Sequence, residues 1–427
     1  MNFQNSLTFA QELDEQDELR SYRSKFHIPV INGKETIYFT GNSLGLQPKS
    51  TAAYINQELE DWAKWGVEGH FHAKNPWFSY HEQFAEPVSK IVGALPKEVV
   101  VMNNLTVNLN LLMVSFYRPT KERYKIVCEA KAFPSDQYAL EMQVRNAGFN
   151  PDDAIIEVAP REGERTLRHK DIITAIENAG SSLACVMIGG VNYFTGQVFD
   201  MEEITEAGHK VGANVGFDLA HGAGNIELKL HEWKVDFACW CSYKYLNSGP
   251  GGVSGIFIHE KHCNNTELPR FAGWWGHEKE RRFLMEKGFQ PMKSAEAWQM
   301  SNAPVLTMAA HKAAVDIFDE VGMEKLLKKQ KMLSGYLEFI IDDINEKHLD
   351  KSSGKWLEII TPRDWKERGC QVSVIAHGFG KNLFNQLTNE GVISDWREPN
   401  AIRMAPVPLY NSFEDVYRFG EILKNNV

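Results

Sequence analysis

The chain has 427 residues, of which 43% are hydrophobic and 24% are charged, and this composition excludes disordered and collagen-like proteins. Its 46 Lys and Arg against 56 Asp and Glu give a net charge of −10, which argues against a nucleic acid as partner, because binding to a phosphate backbone depends on clustered cations. No stretch approaches the roughly 20 apolar residues that cross a bilayer, and the acidic N-terminus has no signal-peptide pattern, so we expect a cytoplasmic protein without a membrane partner.

The six cysteines are scattered along the chain, and several lie in apolar runs that are typical of strands. They are therefore interpreted as reduced, packed thiols rather than as a disulfide framework. Cys239-x-Cys241 and His259-x-x-His262-Cys263 contain possible metal ligands, but neither has a second pair at zinc-finger spacing. We therefore predict no metal site.

The N-terminal part has signals for a helix and a hairpin. Thr8 and Gln11 have the spacing of a capping box, which predicts the start of a helix. Asn32-Gly33 between the apolar runs 28–31 and 36–39 predicts a tight hairpin. Residues 1–65 are therefore predicted to form a helix, a hairpin and a linking segment that packs with a smaller domain.

From about residue 98 the pattern alternates between short apolar runs and helical segments. The predicted strands are 99–102, 125–128, 155–158, 183–188, 215–219 and 237–240, and helices such as 106–116, 136–146, 171–179 and 202–211 lie between several of them. This alternation predicts an α/β domain, residues 66–305, with a mostly parallel sheet covered on both faces. In such sheets, ligands bind beyond the carboxyl ends of the strands.

The pattern changes after Ala303-Pro304. A long helical region at 308–344 is suited to bridge two domains, and it is followed by a strand at 371–376, a helix near 383–390 and a closing helix after 411. Residues 306–427 are therefore predicted to form a bridging helix and a small C-terminal α/β domain.

Two candidate residues follow apolar runs of this pattern. Lys244 lies just past the run 235–240, and Asp218 ends another run and begins Asp218-x-x-His221. A solvated lysine at a strand end is the simpler interpretation of Lys244 alone. Burial, however, disfavours the ammonium form, so an amine at this place can form a Schiff base with a carbonyl. Asp218 can keep the ring nitrogen of pyridoxal phosphate (PLP) protonated, and the pair therefore predicts a PLP site.

The cofactor's phosphate needs a cradle of hydrogen-bond donors. Leu105 and Thr106 open a predicted helix directly after a strand. Backbone N–H groups and a hydroxyl at such a place can bind a phosphate dianion. Simple capping of the helix by Thr106 explains the same residues, and this alternative stays open.

A second junction between a strand and a helix offers contacts to the cofactor ring. Phe133 can stack on a flat ring, while Ser135 and Asp136 can reach its polar atoms. An ordinary helix start, with Pro134 fixing the entry, is the alternative.

Arg403 is one polar residue within an apolar, Pro-rich segment. A buried guanidinium binds carboxylates through paired hydrogen bonds, so Arg403 is the candidate for the carboxylate of an amino-acid substrate, with Arg397 in reserve. A structural ion pair is the alternative. Trp274 and Trp275 either wall the pocket or belong to the core.

Several segments of the chain resemble those of the kynureninases, fold-type-I PLP enzymes related to aminotransferases and cysteine desulfurases. The similarity extends from about Tyr38 to Phe413 and is most specific around Lys244. Its segments are Leu105-Thr-Val-Asn-Leu109, Phe133-Pro-Ser-Asp136, Thr195-Gly-Gln197, Phe217-Asp-Leu-Ala-His221, Asp236-Phe-Ala-Cys-Trp-Cys-Ser-Tyr-Lys-Tyr-Leu-Asn247, Gly273-Trp-Trp-Gly-His277 and Ile402-Arg-Met-Ala-Pro-Val-Pro-Leu-Tyr-Asn-Ser-Phe413. The resemblance implies hydrolysis of the β,γ carbon–carbon bond of L-kynurenine or 3-hydroxy-L-kynurenine to anthranilate or 3-hydroxyanthranilate plus L-alanine, in tryptophan catabolism or NAD biosynthesis.

The same resemblance implies roles for individual residues. Lys244 forms the imine with PLP, Asp218 pairs with the pyridinium nitrogen, and Tyr243 is our choice for proton delivery to the β-carbon. The positions that match the family's cofactor contacts are Leu105, Thr106, Phe133, Pro134, Ser135, Asp136, Asp218, His221, Tyr243, Lys244, Trp274 and Asn302. Asn302 falls where the family supplies a residue that reaches the neighbouring subunit's site, which implies a homodimer with composite sites, so residues 1–65 are also candidates for the dimer interface.

Substrate contacts follow in the same way. His70 and Ser43 match positions that line the aromatic end of the substrate, and His70 with Asn302 resembles the arrangement that handles 3-hydroxykynurenine. Gly189 stands where family members have serine, so a hydroxyl contact to the cofactor is absent here.

Three other functions stay open on the residues alone. Transamination and desulfuration use the same lysine and aspartate, although a desulfurase needs a cysteine in a mobile loop and no cysteine lies in an obvious one. The segment after His221 could pass for a dinucleotide-binding loop, but it lacks the third glycine of that motif. A catalytically silent PLP-fold scaffold is disfavoured, because the lysine, the aspartate and the arginine are all present.

Overall fold

The computed structural model describes residues 2–427, and their contacts divide the chain into two compact units. The sheet unit comprises Thr51–Val191 and Phe199–Glu320. The second unit comprises the chain up to Ser50, the short segment Asn192–Val198 and Val321–Val427. Within residues 2–427, no helix is both long enough and apolar enough to cross a membrane.

The bounds of the regular elements are as follows. The strands are β1 (Val30–Ile31), β2 (Lys34–Glu35), β3 (Ile37–Tyr38), β4 (Val99–Val101), β5 (Lys125–Glu129), β6 (Ile155–Val158), β7 (Leu183–Gly189), β8 (Asn214–Asp218), β9 (Phe237–Trp240), β10 (Gly255–Ile258), β11 (Trp356–Ile359), β12 (Val372–His377), β13 (Val392–Ile393), β14 (Asp395–Arg397) and β15 (Ala401–Met404). The α-helices are α1 (Leu7–Glu15), α2 (Thr51–Trp65), α3 (Gly69–His72), α4 (Ala85–Val92), α5 (Leu105–Phe116), α6 (Pro134–Asn146), α7 (Pro151–Ala154), α8 (His169–Ala179), α9 (Met201–Lys210), α10 (Glu260–Cys263), α11 (Val305–Val321), α12 (Met323–His348), α13 (Lys381–Asn389) and α14 (Phe413–Asn426).

The sheet unit is built on seven strands in the order β4-β10-β9-β8-β7-β5-β6. Strands β5 to β9 are parallel, and β10 lies antiparallel between β4 and β9. The central strands β7 and β9 are buried along their whole length, as expected when helices cover both faces of a parallel sheet. The carboxyl ends of β4, β5, β7, β8 and β9 therefore meet at one edge of the sheet, which confirms the predicted fold class.

The second unit contains a four-stranded antiparallel sheet in the order β11-β12-β15-β14. Its core is formed by this sheet with the apolar faces of α12 and α14, and α1 packs on α14. The short strand β3 pairs in parallel with β13, which ties the N-terminal segment to the C-terminal part of the chain. The predicted hairpin is present, because Asn32 and Gly33 both have positive φ between β1 and β2.

Two predictions about elements were wrong in detail, and one strand was missed. Ser6, not Thr8, caps the first helix, since its side chain accepts a hydrogen bond from the Phe9 N–H. The long helical region is interrupted at Gly322, where φ is 77°. Strand β10 was not predicted, because the residues before it are rich in glycine and its own run of four residues is short.

Candidate active site

Asp218 lies at the carboxyl end of β8, in register with Gly189 on β7 and with Cys239 on β9. Its side chain is buried, and Oδ1 accepts a hydrogen bond of 2.7 Å from the Ala220 N–H. The carboxylate is therefore fixed in orientation at the edge of the sheet where ligands of parallel α/β proteins bind.

Lys244 lies in the loop after β9 and is half-buried rather than a fully solvated strand cap. Its Nζ is 3.0 Å from His221 Nε2, and it lies 5.9 Å from the centre of the Phe133 ring. The structure thus brings together the lysine, the histidine that follows Asp218 and the aromatic residue at the start of α6.

Asp136 in the first turn of α6 is hydrogen-bonded to Asp218. Burial and the neighbouring charge of Asp218 raise the pKa of Asp136 well above its usual range. Burial also raises the pKa of Asp218, while the Ala220 N–H and Lys244 act in the opposite direction. We therefore assign the proton of the pair to Asp136 and the negative charge to Asp218, which leaves Asp218 able to pair with a protonated ring nitrogen.

Tyr243 is half-buried beside Lys244, and its hydroxyl contacts the buried thiol of Cys241. Burial, followed by the proximity of Cys241, raises the pKa of Tyr243. Its hydroxyl therefore keeps its proton at neutral pH and can donate it. Sequence reasoning missed Cys241, although its spacing of two residues from Tyr243 is compatible with side chains on one face of an extended segment.

The N-termini of α5 and α6 point to the same edge of the sheet. Asn104, not Thr106, caps α5, since Asn104 Oδ1 accepts a hydrogen bond from the Val107 N–H. The capping alternative for Thr106 is therefore wrong, and Thr106 is exposed at the start of the helix. N–H groups of a first helical turn have no partner inside the helix, so those of Leu105 and Thr106 suit a phosphate.

Pro134 occupies the first turn of α6, with the half-buried Ser135 beside it. An amine, a buried carboxylate, an aromatic ring and a helix N-terminus are the groups that PLP needs, so the residues present fit this cofactor.

Gly189 is the last residue of β7. This strand lies between β5, which precedes Asp136, and β8, which ends in Asp218. A Cβ at this position would lie 2.8 Å from Glu129 Oε1, so the buried Glu129 side chain occupies the space beside the glycine. A serine here would require Glu129 to move. The space that a serine side chain would need at position 189 is thus taken by a third carboxylate, that of Glu129, which sequence reasoning did not identify.

Other predicted site residues of the sheet unit lie nearer the surface. Trp275 is 1% exposed and belongs to the core, whereas Trp274 is 44% exposed. His70 is half-buried on α3, and its Nδ1 is 2.9 Å from the Val67 carbonyl oxygen. Asn302 is exposed just before α11.

Arg403 and Ser43 belong to the second unit. Arg403 lies on β15, where it donates to the Tyr193 carbonyl oxygen and pairs with Asp395 on β14. The structural ion pair considered for Arg403 is therefore present, and sequence reasoning missed Asp395 as its partner. Ser43 lies with Arg397 in the wall of a cleft of about 440 Å³ in the same unit.

Family comparisons cover most of the chain. A profile described as "Aminotransferase class-V" matches residues 37–358, and one described as "Kynureninase C-terminal domain" matches residues 328–423. The chain is 60% identical to a kynureninase of Flavobacterium psychrophilum over 427 residues, which is 100% of this chain and 99% of that protein.

Solved structures of low sequence identity share the fold. An apo cysteine desulfurase from Thermococcus onnurineus NA1 superposes with a TM-score of 0.75 at 19% identity, covering 95% of this chain and 97% of that one. A C-DES variant with glycine covalently linked to its PLP cofactor gives a TM-score of 0.75 at 14% identity, covering 91% of this chain and 96% of that one.

Proposed function

The chain belongs to the kynureninase family, and we propose that it hydrolyses the β,γ carbon–carbon bond of L-kynurenine or 3-hydroxy-L-kynurenine. The products are anthranilate or 3-hydroxyanthranilate and L-alanine. The observation that carries this proposal is the identity of 60% to a kynureninase along the entire chain. It is a PLP-dependent hydrolase of carbon–carbon bonds, and the geometry at the edge of the sheet supports specific roles for its residues.

PLP, when bound, supplies an aldehyde and an electron-withdrawing ring that stabilises negative charge on the substrate. Lys244 holds the cofactor through Nζ, and Phe133 stacks on its ring. Asp218 holds a proton on the ring nitrogen, and this role is supported by the raised pKa of its neighbour Asp136, which burial and then the charge of Asp218 cause. Leu105, Thr106 and Ser135 bind polar groups of the cofactor from the N-termini of α5 and α6, with Pro134 and His221 beside the ring.

Proton transfers are assigned to the two neighbours in the loop after β9. Lys244 Nζ would remove the proton from the substrate α-carbon. Water adds to the γ-carbonyl carbon, the β,γ bond breaks, and Tyr243 delivers a proton to the β-carbon. The raised pKa of Tyr243 supports this role, because the hydroxyl is protonated before the bond breaks.

Substrate recognition is assigned to four polar residues. Arg403 binds the α-carboxylate, since a guanidinium forms paired, charge-assisted hydrogen bonds with carboxylates. His70, Ser43 and Asn302 contact the aromatic end, where His70 and Asn302 can hydrogen-bond a ring hydroxyl. Trp274, exposed in the single chain, contacts the cofactor.

Other reactions of the same fold are less well supported. All six cysteines are buried, so none offers the accessible thiol that a cysteine desulfurase needs. The buried thiols also support the cytoplasm as the location of the protein, because reduced cysteines are typical of that compartment.

We also propose a homodimer whose sites are composite. Phe71, Phe78 and Phe283 form a series of stacked rings on the sheet unit, with Phe71 and Phe283 exposed and Trp274 packed against Phe283. Exposed apolar surface of this kind marks interfaces between proteins. Asn302, exposed in the single chain, then reaches the site of the partner subunit.

Reductive trapping and product analysis test these assignments. The purified chain incubated with PLP should develop a visible absorbance band, and borohydride should fix the cofactor on the peptide that contains Lys244. Incubation with L-kynurenine or its 3-hydroxy form should release equimolar anthranilate or 3-hydroxyanthranilate and alanine. Lys244→Ala should abolish both results, whereas Lys170→Ala, at an exposed lysine of α8, should change neither. An adduct on another lysine would refute the role of Lys244, and alanine without an anthranilate would refute the reaction.

A further inference from the structure

The Arg403 guanidinium is held from two sides within the second unit. Its Nη1 donates to the Tyr193 carbonyl oxygen at 2.6 Å, and its Nη2 pairs with Asp395 Oδ2. Arg403 and Asp395 are directly opposite each other on the antiparallel strands β15 and β14, so the backbone ladder fixes their spacing. The Arg403 side chain is 1% exposed and that of Asp395 is 13% exposed, so water screens their attraction only weakly.

The backbone side of this arrangement is fixed by its own contacts. Gln371 Nε2 donates to the Tyr193 carbonyl oxygen at 3.0 Å, and Asn42 Nδ2 donates to Gln371 Oε1 at 3.0 Å. Ser373, the β12 neighbour of Arg403, donates to the Phe194 carbonyl oxygen at 2.7 Å. One side of the guanidinium thus lies against a well-anchored backbone segment, and its Nη2 is held by the Asp395 carboxylate.

Asp395 also contacts a second guanidinium. Its Oδ2 is 3.3 Å from Arg397 Nη2, and the Arg397 side chain is 37% exposed. Two guanidiniums and one carboxylate leave one net positive charge, which matches the single negative charge of an amino-acid carboxylate. Asp395, Arg397 and Ser43 line the same cleft of about 440 Å³, a volume within the range of small-molecule sites.

We infer that Asp395 is a positioning residue, which sets the orientation in which Arg403 receives the α-carboxylate of the substrate. This inference depends on the proposed function of Arg403 and deepens it. The carboxylates of Asp395 and of the substrate repel each other, so direct contact between them would not stabilise binding. Asp395 therefore acts through Arg403. Without Asp395, the guanidinium loses its partner at Nη2 and can turn away from the substrate.

The test separates recognition of the carboxylate from all other steps. Asp395→Ala should raise KM for kynurenine by about 30-fold or more, since losing one partner of a buried, hydrogen-bonded charge pair is costly. The kcat value should change less than about threefold, because the groups that move protons are untouched. Competitive inhibition by kynuramine, which is kynurenine without its carboxylate, should be unchanged. Asp395→Asn keeps an acceptor oxygen and should give an intermediate KM.

Three further variants decide between the outcomes. Arg403→Lys should also raise KM for kynurenine and leave inhibition by kynuramine unchanged, and Asp395→Ala combined with it should add little if the acid acts through Arg403. If Arg403→Lys leaves KM unchanged, the proposed role of Arg403 fails. If it raises KM and Asp395→Ala does not, only the inference about Asp395 fails. The inference would also be overturned if Arg397→Gln raised KM for kynurenine as much as Asp395→Ala does. It would fail as well if Asp395→Ala weakened inhibition by kynuramine by the same factor as it raises KM for kynurenine.

Discussion

Tyr243 is the residue whose proposed chemistry can be separated most cleanly from cofactor binding. Tyr243→Phe removes only the hydroxyl, so the absorbance of bound PLP should persist while kcat falls by about 10²- to 10⁴-fold, the usual contribution of a positioned general acid. Tyr138→Phe, at a tyrosine of α6 that is 64% exposed, is the matched control and should retain activity. Unchanged turnover of Tyr243→Phe would remove this residue from the mechanism.

His311 predicts a dependence of stability on acid pH. Its ring is fully buried on α11 and stacked on Phe84 with centroids 5.3 Å apart, and neither ring nitrogen has a hydrogen-bond partner within residues 2–427. Burial lowers the pKa of His311 to about 3, against 6.5 in its ordinary range. Between about pH 6.5 and pH 3, His311 is therefore protonated in the unfolded chain but neutral in the folded chain. The free energy of unfolding falls as the pH drops through this range.

The loss should approach about 1.4 kcal/mol per pH unit between pH 6 and pH 4 for this group alone. His311→Leu should remove that part of the slope, so the free energy of unfolding of the variant, measured with urea from pH 8 to pH 4, should decline less steeply than that of the unmodified chain. The exposed His27→Leu should keep the original slope. Parallel pH profiles for His311→Leu and the unmodified chain would contradict the explanation.

Single residues of the site could be predicted from the sequence where each one follows or ends an apolar run that forms a strand. Lys244 and Asp218 each follow an apolar run, and β8 and β9 are indeed neighbours in the sheet. The hydrogen bond between Asp136 and Asp218 was not predictable, because it depends on β7 lying between β5 and β8 and ending in Gly189. Asp395 was missed for a similar reason, since its pairing with Arg403 depends on the register of β14 and β15.

At the scale of elements, the sequence identified most strands and helices but not all of their ends. Apolar runs set the strands of the sheet unit, because both faces are covered and no alternation is needed. Capping depends on one side chain, so Ser6 and Asn104 were harder to distinguish from their neighbours than the helices themselves. The division at residues 65 and 305 stays a prediction, although α2 ends at Trp65 and α11 begins at Val305.

The break between α11 and α12 gives a prediction for stability. Gly322 has φ 77° and ψ 148°, a region that is essentially restricted to glycine, and a Cβ there would meet nothing within 4 Å. Gly322→Ala should therefore lower the free energy of unfolding by about 1–3 kcal/mol through backbone strain alone. Gly335→Ala, inside α12 with ordinary contacts to the Phe3 ring, should instead raise it by up to about 1 kcal/mol. Equal effects of the two changes in urea unfolding would contradict this account.

At the scale of the whole molecule, the residues with proposed roles are distributed over the sequence ranges of both units. The sheet unit contributes the groups that fit the cofactor, since the carboxyl ends of parallel strands bring Asp218, Lys244 and the starts of α5 and α6 to one edge. The second unit contributes the arginine proposed for the substrate carboxylate. A composite dimer would add a third contribution, because Asn302 would complete the site of the partner subunit.

Hybrid dimers test that third contribution. Lys244→Ala and Asn302→Ala, each defective alone, should restore activity when they are co-expressed with different tags and purified as doubly tagged dimers. In such a dimer the subunit with intact Lys244 receives Asn302 from its partner, so one of the two symmetric sites is complete and activity should reach about half that of the unmodified dimer. The control pairs Lys244→Ala with Asp218→Ala, which damage the same sheet edge of the same chain, so neither site is complete and no activity should return. If the test pair shows no recovery while Asn302→Ala alone is inactive, Asn302 serves the site of its own subunit. Recovery in the control would instead contradict the assignment of Lys244 and Asp218 to one site.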